Sequence, residues 1–505
     1  MRYFNTSGPN IPEKHYTILR ESLLEQGLQL VNDERYFTIW APRQTGKSTF
    51  FALLATQLQN EGFTVISISV ERFRNVSLVE IVHNFNRYFT KQTGNQFSGQ
   101  TLDSIFTKLE ENNSDKYVWV IDEIENFNPL YFSDLLHSIR QLYHSRNQHS
   151  LKSVILVGVS NILGIIHDNA SPFNIADNLD VPFFTKDEVF ELLRQHETET
   201  GQLFDIEVKE KIFVITAGQP GLVNGFADQL SRHFADKKTI EFPDYLFVED
   251  WYLNEAIDKN VGNIVNKAKT YRKFVEGLLF TESKIPFKIE KEEIKYLHSN
   301  GIIKRNASGN IEFWVPLYKK RLYDAFYPYT NGEKDDIIET VILTRFLHPD
   351  GVLNIDYLIN KYKEYITKRS FRPYREKGAD GKFVSIPEAA MIYSFETYID
   401  AIISEAKGKI YREADAGLGK SDLIINMLGK EYLFETKKYY SFSQFNDGKQ
   451  QLAYYSRKLG LNEAVYLLFL SNKIEYPKEV KESVFTIEYV LIHCYLVYYD
   501  MEKDF

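Results

Sequence analysis

The chain has 505 residues, of which 26% are charged and 44% hydrophobic, and its formal net charge is −9. This composition excludes a disordered or collagen-like chain. A single cysteine, Cys494, excludes an internal disulfide and a cysteine-based zinc site. The acidic balance argues against a protein that coats nucleic acid indiscriminately. The chain shows neither a signal peptide nor a membrane-length apolar run, so we expect a cytoplasmic protein without a membrane partner.

Apolar runs alternate with helical patterns over the first 230 residues, which predicts a parallel α/β sheet. The predicted strands there are 36–40, 64–70, 117–121 and 153–158. A helical stretch with two short strands, 302–305 and 311–314, then predicts a winged-helix fold. The last segment predicts a helix over 387–405, strands near 409–414, 421–427, 431–437 and 464–470, and a helix over 444–459.

These patterns divide the chain into four expected segments. They are an α/β domain at 1–238, a helical and winged-helix lid at 239–330, a helical linker at 331–384 and a second α/β domain at 385–505. The length agrees with about three folded domains.

A phosphate-binding loop follows the first predicted strand. Residues 41–49 read APRQTGKST, the P-loop pattern with Ala41 in place of the first glycine. Backbone N–H groups of such a loop wrap phosphates, and its lysine neutralises their charge. The residues expected to bind the nucleotide here are Thr45, Gly46, Lys47, Ser48 and Thr49, with the Ser48 hydroxyl on Mg²⁺.

Two acidic residues end the apolar run at 117–121. An acid at the carboxyl end of such a strand faces the phosphate crevice. We expect Asp122 to bind the cofactor by holding Mg²⁺ through water, and Glu123 to be catalytic by polarising the attacking water. With the loop, these residues predict a P-loop ATPase that uses ATP and Mg²⁺.

Over roughly residues 10–325 the sequence resembles the AAA-like branch of P-loop ATPases, close to the signalling ATPases called STAND. Segments 171–175, 181–184 and 217–221 resemble further elements of that family, the last of which contacts nucleotide from the lid. Arg140 is our candidate for an arginine acting in trans, with an exposed helix charge as the alternative. A homo-oligomer is one expectation for the assembly. The acidic segment 290–295 would be repelled by phosphates, so we expect the winged helix to pack as a lid.

A second group of charged residues lies on two neighbouring predicted strands of the last segment. Asp422 begins one strand, and Glu435 and Lys437 share a face of the next because side chains alternate. If the strands are antiparallel, both carboxylates lie at one end of the sheet. Two carboxylates would bind Mg²⁺, which activates water for attack on a phosphodiester. Lys437 would orient that water or stabilise the developing charge.

Acid-x-Lys spacing alone has little weight, because it recurs elsewhere, for example at Glu479 and Lys481. At 422–437 the spacing has more weight, because a glycine-rich turn and a buried-strand run accompany it. There the chain resembles the PD-(D/E)XK nuclease superfamily, over roughly residues 385–505, which implies a restriction-endonuclease-like fold. The family's catalytic triad matches Asp422, Glu435 and Lys437, with Ser421 in place of the usual proline.

Two further features follow from this resemblance. Gln451 and Tyr455 match the Gln-x-x-x-Tyr element of the RecB-like branch, which implies contact with nucleic acid, DNA rather than RNA. In this family a helical acid often completes the metal site. Glu388, Glu396 and Glu413 are the three alternatives here.

Two functional hypotheses remain at this point. The first is an ATPase fused to a metal-dependent nuclease, of the kind found in bacterial defence or mobile-element biology. The alternative is a signalling or scaffold ATPase whose nuclease-like domain binds nucleic acid or a partner without cleaving. The complete triad favours cleavage. The sequence leaves open DNA versus RNA as the substrate, endo- versus exonuclease action, the activating signal and the oligomeric state.

Overall fold

A computed structural model describes residues 1–42, 44–110, 116–158, 176–256, 259–281, 284–328, 343–412 and 422–505. The chain divides into two compact units. The first comprises Met1–Ile264 and Ile289–Lys304, and the second comprises Val265–Lys288 and Arg305–Phe505. None of the described helices has the length and hydropathy needed to cross a lipid bilayer.

The first unit is built on a five-stranded sheet with the order β2-β3-β4-β1-β5. Its strands are β1 (Tyr36–Trp40), β2 (Thr64–Ser69), β3 (Tyr117–Asp122), β4 (Leu151–Gly158) and β5 (Ala176–Asn178). All neighbouring pairs are parallel. The predicted parallel α/β sheet is therefore confirmed, and β5 is a strand that the sequence patterns did not indicate.

Helices cover both faces of this sheet. Trp119 packs with Phe85 on one face, whereas its neighbours Val118 and Val120 belong to a core with Leu54 on the other. Burial on both faces explains why the strands read as continuous apolar runs. The helices of the first unit are Glu21–Asn32, Lys47–Asn60, Leu78–Thr93, Leu102–Glu110, Pro129–His144, Lys186–Thr200, Ile206–Thr216, Pro220–His233, Phe242–Asn254 and Glu292–Ser299. A small parallel pair, β6 (Leu203–Phe204) and β7 (Thr239–Ile240), lies among the later ones.

Two helices and two short strands lie along the stretch 259–313, in which the chain passes between the units three times. They are the helices Lys259–Thr270 and Arg272–Phe280, and the strands β8 (Ile303–Arg305) and β9 (Ile311–Phe313). The helix Pro316–Phe326 follows in the second unit. The two strands lie where the sequence predicts them, and the winged-helix assignment stays a prediction.

The second unit contains a mixed six-stranded sheet with the order β10-β11-β12-β13-β15-β14. The strands are β10 (Lys409–Tyr411), β11 (Asp422–Met427), β12 (Lys430–Lys438), β13 (Glu463–Ser471), β14 (Ser483–Ile487) and β15 (Val490–Tyr499). The pairs β12–β13 and β13–β15 are parallel, and the other three are antiparallel. This sheet, together with its helices, forms a separate C-terminal α/β fold.

Helices cover the two faces of the second sheet. Phe395 of the helix Pro387–Glu405 contacts Phe434 on one face, with ring centroids 6.0 Å apart. The helix Phe442–Lys458 packs against Leu433 and its neighbours on the other face. A further helix, Ile355–Arg369, buries Tyr362 within this unit and lies inside the predicted linker.

Candidate active sites

The predicted phosphate-binding loop joins β1 to the helix Lys47–Asn60. Gly46 precedes the helix in the left-handed conformation, with φ 88°, which a glycine adopts without strain. Lys47 Nζ donates to the carbonyl oxygens of Ala41 and Pro42, at 2.7 and 2.6 Å. The buried Thr45 donates from Oγ1 to the Pro42 carbonyl at 3.1 Å. The loop therefore folds over the lysine at a helix N-terminus, as phosphate binding requires.

The segment 217–221 meets this loop, as its resemblance to a nucleotide-contacting lid element implies. The Gly221 backbone N–H donates to the Gln44 carbonyl at 3.1 Å. A Cβ added at Gly221 would lie 2.5 Å from Gln44 Oε1, so glycine permits this approach. The same segment is held from behind, because Phe184 N–H donates to the Gly218 carbonyl at 2.8 Å. Residues 171–175 lie outside the described residues.

The two acidic residues lie at the carboxyl end of β3, which β4 separates from β1. Asp122 Oδ1 accepts a hydrogen bond from the Glu123 N–H at 2.9 Å. Burial raises the pKa of Asp122 above its ordinary value. The hydrogen bond from the Glu123 N–H and the charge of Lys47 partly oppose that rise. Glu123 has φ 57°, a strained conformation for a residue other than glycine that is frequent at functional sites.

The first turn of the helix Lys47–Asn60 has a partner that the sequence did not indicate. The Asn10 backbone N–H donates to Thr49 Oγ1 at 2.9 Å, and Asn10 Nδ2 donates to the Tyr16 carbonyl at 3.1 Å. The N-terminal segment thus lies beside the phosphate-binding loop. Its local signals are the turn-prone dipeptides Ser-Gly and Gly-Pro at residues 7–9, which carry no information about a contact so distant along the chain.

The second candidate site lies where β11 begins. The two strands β11 and β12 are antiparallel, and Asp422 pairs directly with Glu435 in the backbone register. Residues paired in this way have Cα atoms about 4.5–5.5 Å apart. The predicted hairpin therefore brings the two acidic positions together at one end of the sheet. Glu413 and Ser421 lie outside the described residues.

Glu435 and Lys437 form an ion pair in the interior of the second unit. Their exposed fractions are 0% and 5%. The helix Phe442–Lys458 covers the pair at Gly448, where an added Cβ would lie 3.5 Å from Lys437 Nζ. On the same helix, Gln451 Nε2 donates to the Tyr455 hydroxyl at 3.1 Å. Of the residues matched to the nuclease family, Glu435 and Lys437 thus lie on β12, and Gln451 and Tyr455 lie on the helix that covers it.

The structure gives different partners to two of the three acids considered for this site. Glu388 accepts from Lys438 Nζ at 2.5 Å and from the Tyr440 hydroxyl at 3.0 Å. Burial alone would raise its pKa, but these two bonds hold the pKa of Glu388 below its ordinary value. Lys438 and Lys437 are neighbours on β12, so their side chains point to opposite faces of the sheet. Glu396 is also buried and pairs with Arg412 at 3.0 Å.

Comparison with known families identifies the domain that holds the first site. Residues 31–166 match the family model described as AAA domain. This part of the chain is an AAA domain. It contains the phosphate-binding loop, Asp122 and Glu123, and the four strands β1–β4. Arg140 lies within it on the helix Pro129–His144, where its role in trans stays a prediction.

A comparison with solved structures finds similarity to three proteins of known structure, among others. The Walker-type ATPase PABY2304 of Pyrococcus abyssi is 16% identical, with 63% of this chain and 99% of that chain covered and a TM-score of 0.48. RuvB of Thermotoga maritima, a Holliday junction branch migration motor, is 14% identical, with 58% and 91% covered and a TM-score of 0.36. The Aeropyrum pernix ORC1 protein in complex with DNA is 14% identical, with 60% and 92% covered and a TM-score of 0.34. A search of curated proteins found no match.

Proposed function

We propose that this protein hydrolyses ATP in its AAA domain and cleaves nucleic acid at a metal site in its C-terminal fold. The observation that carries the second half is the pairing of Asp422 with Glu435, beside the buried ion pair of Glu435 and Lys437. This is the arrangement expected of a PD-(D/E)XK nuclease with a restriction-endonuclease-like fold.

In the AAA domain, the chemistry of the donor set fits ATP with Mg²⁺. Lys47, which donates to two loop carbonyls, would instead donate to phosphate oxygens. Ser48 and Asp122 offer the hard oxygen atoms that Mg²⁺ prefers. Glu123, one residue beyond Asp122, would accept a proton from the attacking water. Mg²⁺, when bound, neutralises phosphate charge.

In the C-terminal fold, Asp422 and Glu435 are the residues that would hold a divalent metal ion. Two carboxylates at one end of a strand pair provide a suitable set of oxygen ligands. The ion, when bound, lowers the pKa of a water molecule and polarises the phosphodiester. Lys437 would donate to the attacked phosphate or orient the water, which a lysine can do without being a ligand. Gln451 and Tyr455 would contact the nucleic acid.

We further propose DNA as the substrate, a cytoplasmic location and a lid role for the winged-helix segment. The domain boundaries after residues 238, 330 and 384 and a homo-oligomeric assembly belong to the same proposal. They rest on the sequence patterns and resemblances given above.

The decisive experiment incubates the purified full chain with linear DNA, circular DNA or RNA, with Mg²⁺ or Mn²⁺. The variants Glu435→Ala and Lys437→Ala should lose cleavage and keep ATP hydrolysis. The matched controls are Glu479→Ala and Lys481→Ala, which alter an exposed pair of the same spacing. Cleavage that persists in Glu435→Ala would overturn the assignment of the site. Nucleic-acid binding without cleavage in the wild type would establish the scaffold alternative.

A further inference from the structure

A cluster of polar side chains surrounds the guanidinium group of Arg412, the residue after β10. Its Nη1 pairs with Asp324 Oδ1 and its Nη2 with Glu396 Oε2, both at 3.0 Å. The guanidinium carbon also lies 4.6 Å from the ring centroid of Tyr323 and 5.4 Å from that of Tyr327. Arg412 is therefore held on several sides by residues of the second unit.

Glu396 is the buried acid of this cluster, whereas the side chains of Arg412 and Asp324 are 40% and 42% exposed. The Glu396 side chain is 4% exposed and also accepts a hydrogen bond from the Tyr323 hydroxyl. Burial raises the pKa of Glu396, and Arg412 and the Tyr323 hydroxyl oppose that rise. Burial likewise disfavours the charge of Arg412, but the nearby carboxylates keep the pKa of Arg412 above its ordinary value. Glu396 therefore depends on Arg412, because its buried carboxylate would be poorly solvated without that partner.

Arg412 directly follows β10, which pairs with β11. The register of β10 and β11 pairs Lys409 with Asn426, Ile410 with Ile425 and Tyr411 with Ile424. Since antiparallel registers advance by one residue on each strand in opposite directions, Arg412 continues β10 towards Asp422. Arg412, whose side chain the cluster holds, therefore lies on the backbone next to the first residues of β11. Asp422, a proposed metal ligand, is the first residue of that strand.

We propose that Arg412 is a positioning residue for the C-terminal metal site. Glu396, Tyr323 and Asp324 hold its guanidinium group, and Arg412 in turn holds the end of β10 against the first residues of β11. This inference rests on the proposed nuclease function, and it gives Glu396 a supporting role instead of that of a third ligand. The helix Pro316–Phe326, which carries Tyr323 and Asp324 and lies before the boundary proposed after residue 384, thereby supports the nuclease fold.

The test measures Mn²⁺ binding to the full chain by calorimetry, without nucleic acid or nucleotide. The C-terminal site is defined as the binding that Glu435→Ala removes. Residues that orient ligands typically change metal affinity by about 10- to 100-fold when replaced. We expect Arg412→Gln to raise the Kd for Mn²⁺ about tenfold or more at this site. Arg412→Lys keeps the charge but loses the two guanidinium nitrogens that pair with Asp324 and Glu396. Its Kd should lie between those of Arg412→Gln and the wild type.

The matched control is Arg457→Gln, which removes an arginine that pairs with Glu488 in the same unit. Its Mn²⁺ affinity should equal that of the wild type. DNA cleavage by Arg412→Gln should recover as Mn²⁺ is raised, because the variant weakens metal binding and leaves Lys437 in place. If Arg412→Gln fails to fold, Tyr323→Phe carries the same test, with a smaller rise in Kd expected.

The outcomes separate this inference from the function on which it rests. If the wild type and Glu435→Ala bind Mn²⁺ identically, the proposed nuclease site fails. If Glu435→Ala loses a site that Arg412→Gln and Tyr323→Phe retain with unchanged Kd, the positioning role alone is overturned. A loss of cleavage that high Mn²⁺ does not restore in Arg412→Gln would also overturn it.

Discussion

Lys437 Nζ forms an ion pair with Glu435 Oε1, and both residues are almost completely buried. They stand two positions apart on β12, so the period of the strand places them on one face. A buried pair of this kind stabilises a fold only weakly, because desolvation offsets the attraction between the charges. Removing one partner is far more costly, since it leaves the other charge uncompensated.

The first prediction concerns the free energy of unfolding of the second unit. Glu435→Gln and Lys437→Met should each lower it by about 3–5 kcal/mol, and the double variant should lower it by less than the sum. Urea denaturation of the full chain measures the three values. The exposed pair Glu479→Gln and Lys481→Met should change stability by no more than about 0.5 kcal/mol. Additive costs at 435 and 437 would contradict the ion pair.

The second prediction distinguishes binding from hydrolysis in the AAA domain. Lys47→Ala should weaken ATP binding and abolish turnover, because it removes the charge that neutralises phosphate. Glu123→Gln should bind ATP as the wild type does and leave it unhydrolysed, because the amide cannot accept a proton from water. Fluorescent-nucleotide binding and phosphate release measure the two effects. Hydrolysis at the wild-type rate in both variants would refute the ATPase mechanism.

A third prediction uses the close approach of Gly221 to Gln44. Alanine is a better helix former than glycine by about 1 kcal/mol, so Gly221→Ala would ordinarily stabilise the helix Pro220–His233. Here the new Cβ would collide with Gln44, and we expect weaker ATP binding. Gly262→Ala is the control, because open space surrounds an added Cβ there. Equal ATP affinity in both variants would show that the lid contact is unimportant.

The fourth prediction concerns the chain's one cysteine. Burial raises the pKa of the Cys494 thiol to about 12, so at pH 8 only about one molecule in 10⁴ carries the reactive thiolate. Ellman's reagent should therefore modify the native full chain very slowly and the denatured chain at once. Tyr489→Cys provides an exposed thiol for comparison, since Tyr489 is 96% exposed. Fast labelling of Cys494 in the native protein would contradict its burial.

The strands of the AAA domain and the helix Pro387–Glu405 were predictable because long apolar runs and a proline at the helix start are strong local signals. The hairpin of β14 and β15 was missed. Its turn consists of Glu488 and Tyr489, which both have positive φ, at 47° and 70°. Such turns normally use Asn-Gly or Asp-Gly, so the sequence carried no turn signal there.

Side-chain partners were harder to predict than backbone register. The spacing of Asp422 and Glu435 predicts their pairing, because a hairpin fixes which residues face each other. Glu388 and Glu396 were equivalent candidates in the sequence. Their partners, Lys438 and Arg412, follow from packing between distant parts of the chain, which local patterns do not encode.

The second unit includes Val265–Lys288, which precede a stretch that belongs to the first unit. Glu276 from this early segment accepts a hydrogen bond from the Ile386 backbone N–H at 2.8 Å, just before the helix Pro387–Glu405. A gene rearrangement with one junction at residue 385 would separate these two residues. A C-terminal fragment that starts at residue 385 would therefore lose the acceptor for the Ile386 N–H, whereas one transplanted together with Val265–Lys288 would keep it.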